Sequence, residues 1–306
     1  DKVWDKGLTP DNDDEGHIGG GLAYERGRVF VATGFGVVFA LDAKSGEVLW
    51  SERIGIPMRV PPTVRGGRLF VVTVDNNLIA LDARDGKTLW THAGAQETAS
   101  LLGGASPAED SGIVVVPYTS GELFALRVDT GRVIWQENLA SIRRTDAVAS
   151  LAHIRGRPII DRGRVIAISH AGVMAAIDLR TGRRVWTREI GGAESPWVAG
   201  NFIFTITNEN ELICVSREDG TVRWVRGLPR FQDPEDREDP ITWSGPVLAG
   251  DRLIVAGSSG DAFAVSPYSG RVLGAVEMPD GVSVAPIVAA DTVFFLANDA
   301  ELVAYR

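Results

Sequence analysis

The chain has 306 residues, which is enough for two ordinary domains or for one large all-β or α/β unit. Hydrophobic residues make up 44% and charged residues 23%, a balance that supports a buried core and excludes an intrinsically disordered chain. With 31 Lys and Arg against 40 Asp and Glu, the net charge of −9 lacks the basic surface that nucleic acid requires, so nucleic acid is not an expected partner.

The predicted elements follow from a twelve-residue motif that occurs six times along the chain. Its first copy reads FALDAKSGEVLW and ends at Trp50, and later copies end at residues 90, 135, 186, 224 and 274. The sixth copy has Gly274 where the other five have Trp. This spacing is typical of four-stranded propeller blades.

Each copy predicts a hairpin, because an apolar run leads into a polar turn and a second apolar run follows it. In the first copy the turn ends at Gly46, which supplies the positive φ that a tight turn needs. A further pair of β-rich segments precedes each copy, as at residues 22–31. The sequence therefore predicts an all-β fold: a β-propeller of four-stranded antiparallel blades, with seven blades' worth in this chain.

We predict a single domain over residues 1–306. Its blades are expected at about 18–54, 60–94, 104–139, 157–190, 195–228, 243–278 and 284–306. The last of these has no Trp strand, whereas residues 1–8 resemble one, with Trp4 in the motif position. We therefore expect residues 1–8 to close the propeller as the outer strand of the last blade, since this pairing removes two exposed sheet edges.

Tryptophan at one fixed position per blade is interpreted as a packing residue between adjacent blades, although aromatic rings can also stack on ligands. The residues in this structural role are Trp4, Trp50, Trp90, Trp135, Trp186 and Trp224. Trp197 and Trp243 lie outside the motif and are the tryptophans to inspect for a partner contact.

No residues are predicted to be catalytic, cofactor-binding or metal-ligating. The single cysteine, Cys214, lies in an apolar run and is interpreted as a buried strand residue; one thiol excludes an intramolecular disulfide and a Cys-cluster zinc site. The acidic segments 11–15 and 233–239 lack the ligand spacing of a calcium loop and are expected to be solvated, with calcium binding left open. The chain is therefore predicted not to be an enzyme.

The motif Ala-x-Asp-x-x-[Ser/Thr/Asp]-Gly-x-x-x-Trp resembles that of the PQQ-like, quinoprotein-type β-propeller superfamily along essentially the whole chain. Within it, the order of the blade variants, with a sixth blade that lacks Trp and the ending at residues 285–306, is similar to the BamB family of outer-membrane assembly factors. The resemblance implies a non-catalytic periplasmic scaffold of the outer-membrane β-barrel assembly machinery. It also implies that the POTRA domains of BamA, other subunits of that machinery and nascent outer-membrane proteins are partners.

The family has eight blades and a lipidated N-terminal Cys, and the chain departs from both. The simplest interpretation is that an anchor and most of one blade lie upstream; a natural seven-bladed protein is the alternative. We expect periplasmic localisation at the outer membrane, with membrane contact only through such a lipid anchor.

The resemblance also places the family's partner interface in two segments on neighbouring blades, residues 100–107 and 144–158. A contact leucine of the family falls on Leu101, a contact arginine is replaced by Leu102, and a pair of acids falls on His153 and Arg155. The candidate interface residues are Leu101, Leu102, Arg144, Asp146, His153 and Arg155.

Two other functions stay open from the sequence. A PQQ-dependent dehydrogenase shares the motif, but such an enzyme needs a metal with a nearby catalytic acid, and no such cluster is recognised here. A propeller that binds a different periplasmic partner is the third interpretation.

Overall fold

The structure is a computed structural model that describes residues 3–9, 20–95, 104–140 and 153–306. All regular structure in these residues is β-strand. The described part of the chain therefore contains no helix with the length and hydropathy of a membrane span. The chain divides into two compact units, Asp1–Ile160 with Leu179–Gly182, and Asp161–Asp178 with Arg183–Arg306.

The first unit contains three four-stranded antiparallel sheets whose strands are paired in chain order, here called blades 1 to 3. Blade 1 consists of β1 (Gly21–Glu25), β2 (Arg28–Ala32), β3 (Val37–Asp42) and β4 (Val48–Arg53). Blade 2 consists of β5 (Thr63–Arg65), β6 (Arg68–Val72), β7 (Asn77–Asp82) and β8 (Thr88–Ala93). Blade 3 consists of β9 (Ala108–Asp110), β10 (Ile113–Pro117), β11 (Glu122–Arg127) and β12 (Val133–Asn138).

Blades 4 to 7 follow along the chain. The first strand of blade 4 contains the boundary at which the first unit ends and the second begins. Blade 4 consists of β13 (Ile159–Asp161), β14 (Arg164–Ile168), β15 (Met174–Asp178) and β16 (Arg184–Arg188). Blade 5 consists of β17 (Trp197–Ala199), β18 (Phe202–Ile206), β19 (Glu211–Ser216) and β20 (Val222–Gly227), and a separate hairpin of β21 (Phe231–Asp233) and β22 (Glu238–Pro240) follows it. Blade 6 consists of β23 (Trp243–Ala249), β24 (Arg252–Gly257), β25 (Asp261–Val265) and β26 (Val272–Glu277), and blade 7 of β27 (Ile287–Ala289), β28 (Thr292–Leu296) and β29 (Leu302–Tyr305).

The predicted fold class, an all-β propeller of four-stranded antiparallel blades, is confirmed. One element differs from the expectation. Residues 3–8 form no strand, and blade 7 has three strands in the described part of the chain, so the outer strand expected at residues 1–8 is not formed over residues 3–8. Pairing of the chain's start with blade 7 stays a prediction.

The middle strands of blades 2 to 5 are buried on both faces, which is why their sequences are continuous apolar runs. In β6 and β7, four consecutive residues of each strand are buried, and at least four are buried in β10, β11, β14 and β19. The outer strands alternate instead, as in β8, where Trp90 is half-buried and its neighbours are exposed. A blade is thus a sheet with two apolar faces, and it must bury both.

A β-bulge fixes the direction of the motif Trp in blades 1 to 5. In blade 1 the register of β3 and β4 pairs Ala40 with Trp50 and then shifts before Leu41. The same shift follows the pair that contains the motif Trp in blades 2 to 5; this pair is Ala–Trp in blades 2 to 4 and Cys214–Trp224 in blade 5. A bulge re-aims the side chain next to it. The indole ring therefore leaves its own sheet towards the turn of the blade that follows.

Each motif Trp makes the same two contacts with that turn. Its Nε1–H donates to a backbone carbonyl at 2.7–3.2 Å; the six pairs are Trp4 with Ala43, Trp50 with Ala83, Trp90 with Val128, Trp135 with Leu179, Trp186 with Arg217 and Trp224 with Pro267. Its ring lies against the turn glycine, so closely that a Cβ built there would lie 2.6–2.8 Å from a ring atom. These glycines are Gly46, Gly86, Gly131, Gly182, Gly220 and Gly270.

The turn glycine is required for two separate reasons, which matched substitutions can distinguish. Gly86 and Gly112 both have a φ of 77°, but a Cβ at Gly86 would lie 2.7 Å from the Trp50 ring, whereas one at Gly112 would meet nothing within 4 Å. We predict that Gly112→Ala lowers the free energy of unfolding by about 1–2 kcal/mol, the cost of a left-handed alanine. Gly86→Ala should cost about 1–3 kcal/mol more, the cost of overpacking.

Urea denaturation of the two variants and the wild type measures this difference. Equal losses of stability in the two variants would mean that the contact between Trp50 and the turn contributes nothing.

Candidate functional site

Four of the six predicted interface residues, Leu101, Leu102, Arg144 and Asp146, lie outside the described residues. The structure does describe the segments on either side of them. We call residues 94–107, which join β8 to β9, the first connection, and residues 139–158, which join β12 to β13, the second connection. Both connections run from the outer strand of one blade to the first strand of the next, so they leave at equivalent ends of neighbouring blades.

The start of the first connection is held by polar groups from two blades. Asn76, which is 3% exposed, donates from Nδ2 to the Ala95 carbonyl at 2.6 Å and to Thr119 Oγ1 at 2.8 Å. The Ala95 N–H donates to Glu122 Oε2 at 3.1 Å. Both backbone groups of Ala95, the last residue described before the gap, are therefore fixed from blades 2 and 3.

The end of the first connection is fixed in the same way. Ser106 Oγ donates to the Pro61 carbonyl at 2.7 Å, and Thr63 Oγ1 donates to the Pro107 carbonyl at 2.6 Å. Both hydroxyl side chains belong to buried residues. Buried polar groups stabilise a structure only when they are paired, so these bonds define where the connection enters and leaves the blades.

An aromatic cluster lies beneath the start of the first connection. His92 Nδ1 lies 2.8 Å from Tyr118 Oη, and the hydroxyl of Tyr118 donates to the His92 carbonyl at 3.2 Å. The His92 ring is stacked on Tyr118 and lies 4.7 Å, centroid to centroid, from Phe124. Burial lowers the pKa of His92 below its ordinary value of 6.5, against the opposing effect of Glu122. Burial also raises the pKa of Tyr118, and the charge of Glu122 raises it further.

The second connection is anchored mainly by apolar burial. Leu139, at its start, is fully buried and donates its N–H to the Gly121 carbonyl at 2.9 Å. At its other end His153 and Ile154 are each 1% exposed, whereas Arg155 is exposed. Of the two predicted interface residues that the structure describes, Arg155 is therefore accessible from solvent, whereas His153 is not. The interface role of all six residues stays a prediction.

The two tryptophans outside the motif both pack against other side chains of the fold. Trp243 is 4% exposed, donates from Nε1 to the Pro229 carbonyl at 2.8 Å and lies 4.9 Å from the Phe263 ring. Trp197 is half-buried against two apolar clusters of the second unit. Cys214 is buried in β19, and burial raises the pKa of its thiol to about 11, which leaves it protonated at neutral pH.

The acidic segment at residues 233–239 forms the exposed hairpin of β21 and β22. Asp233 accepts hydrogen bonds from the backbone N–H groups of Glu235 and Asp236 at 2.9 and 3.1 Å, so this carboxylate stabilises the turn of the hairpin. In the described residues, no group of three or more His, Cys, Asp or Glu side chains is arranged to hold a metal ion. The other acidic segment, residues 11–15, lies outside them.

The residues that anchor the first connection were not predicted from the sequence. Asn76 lies in a polar turn like many others, and its partner Thr119 is 43 residues away. The one weak signal in the sequence is the residue type. Asn76 has a φ of 61°, a conformation that asparagine tolerates better than most other non-glycine residues.

Comparison with known proteins identifies related chains. A family model described as outer membrane protein assembly factor BamB matches residues 1–226. The chain is 30% identical over 285 residues to BamB of Escherichia coli (strain K12), covering 92% of this chain and 70% of that protein. It is 24% identical over 285 residues to BamB of Moranella endobia (strain PCIT), covering 93% and 71%.

Solved structures show the same fold. The crystal structure of BamB from Moraxella catarrhalis is similar with a TM-score of 0.84 and 20% identity, over 94% of this chain and 84% of that one. A europium-containing methanol dehydrogenase is also similar, with a TM-score of 0.68 and 17% identity, over 93% of this chain and 72% of that one. At these identities the likeness concerns the fold alone.

The lowered pKa of His92 predicts a pH dependence of stability. Because the folded state disfavours the protonated ring, the unfolded chain binds the proton more readily. His92 therefore contributes stability above its unfolded pKa, and this contribution is lost as the pH falls through the folded pKa. We expect His92→Gln to reduce the loss of unfolding free energy between about pH 7.5 and about pH 5.5. Urea denaturation across this range measures it, and parallel curves for variant and wild type would contradict the prediction.

Proposed function

The chain belongs to the BamB family of outer membrane protein assembly factors, and we propose that it is a non-catalytic scaffold of the outer-membrane β-barrel assembly machinery. In this proposal it works in the periplasm at the outer membrane, binds the POTRA domains of BamA and assists the folding and insertion of outer-membrane proteins. The names of its relatives indicate the role of an assembly factor; the partner and the compartment are our inference.

The anchoring of the first connection is the observation that carries the proposal. The side chains of Asn76 and Glu122 fix its start, and those of Ser106 and Thr63 fix its end. Each of these side chains makes a hydrogen bond with a backbone N–H or carbonyl group. A binding segment loses less conformational entropy when its ends are already fixed by a rigid frame. Loops held in this way on a regular scaffold are where proteins commonly place their interaction surfaces.

The residues inside the two connections have complementary chemistry. Leu101 and Leu102 precede the small residues Gly103 and Gly104 in the sequence, whereas Ala105 is buried. Two leucines beside small residues have the chemistry of an apolar surface that a partner covers. The sequence of the second connection contains Arg144 and Asp146, and its described end contains the exposed Arg155. Protein interfaces have this arrangement of an apolar centre and a polar rim.

We predict that Leu101→Asp combined with Leu102→Asp weakens binding to purified POTRA domains by at least about 2 kcal/mol, roughly 30-fold in Kd, because a carboxylate buried without a partner is costly. Titration of the double variant and the wild type against the POTRA domains, for example by calorimetry, measures the change. Melting temperatures should agree, since the substitutions lie in a connection between blades.

Val284→Asp is the matched control. Val284 is 51% exposed and lies in the connection between blades 6 and 7, so it tests whether any exposed carboxylate in such a connection weakens binding. Wild-type affinity in the Leu101/Leu102 double variant would reject this surface as the interface. A melting temperature lowered in that variant alone would show that the leucines stabilise the fold.

The second candidate function is that of a PQQ-dependent dehydrogenase. The observation that favours it is the similarity in fold to a methanol dehydrogenase. We predict no turnover of alcohols or sugars when the purified chain is incubated with PQQ, Ca²⁺ and an artificial electron acceptor. Saturable binding of PQQ with turnover would replace the scaffold proposal by an enzymatic one.

A further inference from the structure

The turn between the second and third strands has one residue with a positive φ in each of the seven blades. The N–H of this residue donates to the carbonyl three residues earlier at 2.9–3.3 Å. In blades 1, 2, 3, 5 and 6 its own carbonyl accepts the N–H of the first residue of the connection to the next blade, at 2.7–2.9 Å. The residues at this position are Gly36, Asn76, Gly121, Gly172, Asn210, Gly260 and Ala300.

Asparagine at this position adds a second bond to a connection, which glycine cannot make. Asn76 donates from Nδ2 to the Ala95 carbonyl at 2.6 Å, and its Oδ1 accepts the Thr119 N–H at 3.2 Å. Asn210 donates from Nδ2 to the Ile241 carbonyl at 2.8 Å, in the connection between blades 5 and 6. In blades 2 and 5 the turn therefore holds two backbone groups of a connection, one through its backbone and one through a side chain.

Ala95 is held by two anchors that are independent of each other. Its carbonyl is held by Asn76, and its N–H donates to Glu122 Oε2. Glu122 is itself fixed, because Ser120 Oγ donates to Oε2 and Gln136 Nε2 donates to Oε1, both at 2.8 Å. Loss of the Asn76 side chain therefore releases the carbonyl of Ala95 and leaves the other anchor in place.

We propose that Asn76 is a positioning residue for the partner surface: its carboxamide holds Ala95, and with it the start of the first connection, in the conformation that binds. The inference rests on the function proposed above, since the partner is the one named there. Asn76 is 3% exposed, so a partner has almost no access to its side chain. It acts by raising the fraction of molecules that are ready to bind, and the apparent affinity rises with that fraction.

Asn76→Gly removes the carboxamide and keeps the backbone conformation, because glycine occupies this position in four other blades. Asn210→Gly is the matched control: its φ is 57° against 61° for Asn76, and it loses a similar bond in a different connection. Surface plasmon resonance on immobilised POTRA domains measures both rate constants. We expect Asn76→Gly to associate at least about fivefold more slowly with an unchanged dissociation rate, and Asn210→Gly to stay within about twofold of the wild type.

Asn76→Asp separates the two bonds of the side chain. A carboxylate still accepts the Thr119 N–H, but it cannot donate to the Ala95 carbonyl. We expect this variant to associate as slowly as Asn76→Gly. Association at the wild-type rate in Asn76→Asp would overturn the role assigned to the bond with Ala95.

Hydrogen exchange of the Ala95 amide, followed by NMR without a partner, tests the positioning independently of the proposed function. We expect faster exchange in both Asn76 variants and an unchanged rate in Asn210→Gly. If the wild type does not bind the POTRA domains, the proposed function fails, whereas an unchanged exchange rate in the Asn76 variants overturns the positioning role. Equal losses of affinity in Asn76→Gly and Asn210→Gly would also overturn it, because they would reflect stability alone.

Discussion

The architecture depends on one contact, an indole ring packed against a left-handed glycine of the next turn. A blade has two apolar faces and cannot bury them alone, so its stability comes from its neighbours. In blades 1 to 5 the contact combines three features: the bulge that aims the ring, a turn residue without a Cβ, and a carbonyl that accepts the indole N–H. Trp50, Gly86 and Ala83 meet these conditions for blades 1 and 2.

A frame built from one recurring contact leaves the connections between blades free to differ. The first connection carries leucines and small residues, and its two ends are fixed by Asn76, Glu122, Ser106 and Thr63. These polar side chains are not part of the motif. They form hydrogen bonds with backbone groups that are not paired between strands, and these bonds fix both ends of the segment. That combination is why we propose that the partner surface of this member of the BamB family lies in the connections.

The sixth blade shows what happens when the contact is omitted but its backbone geometry is kept. The bulge between β25 and β26 remains although Gly274 stands where blades 1 to 5 have Trp, so the bulge itself does not depend on the ring.

The sequence by itself determined the repeated hairpins, their turns, the number of blades and the positions of the motif Trp residues, because a twelve-residue motif carries the local signals and recurs along the chain. Only the tertiary structure decided the rest. It showed that residues 3–8 form no strand, that His153 is buried beside an exposed Arg155, and that Gly274 borders a cavity. It also showed that Asn76 contacts Thr119 at 43 residues' separation. Burial, cavities and polar contacts depend on which side chains of another blade lie nearby. These residues are far apart in the sequence, so a local sequence pattern does not predict their contacts.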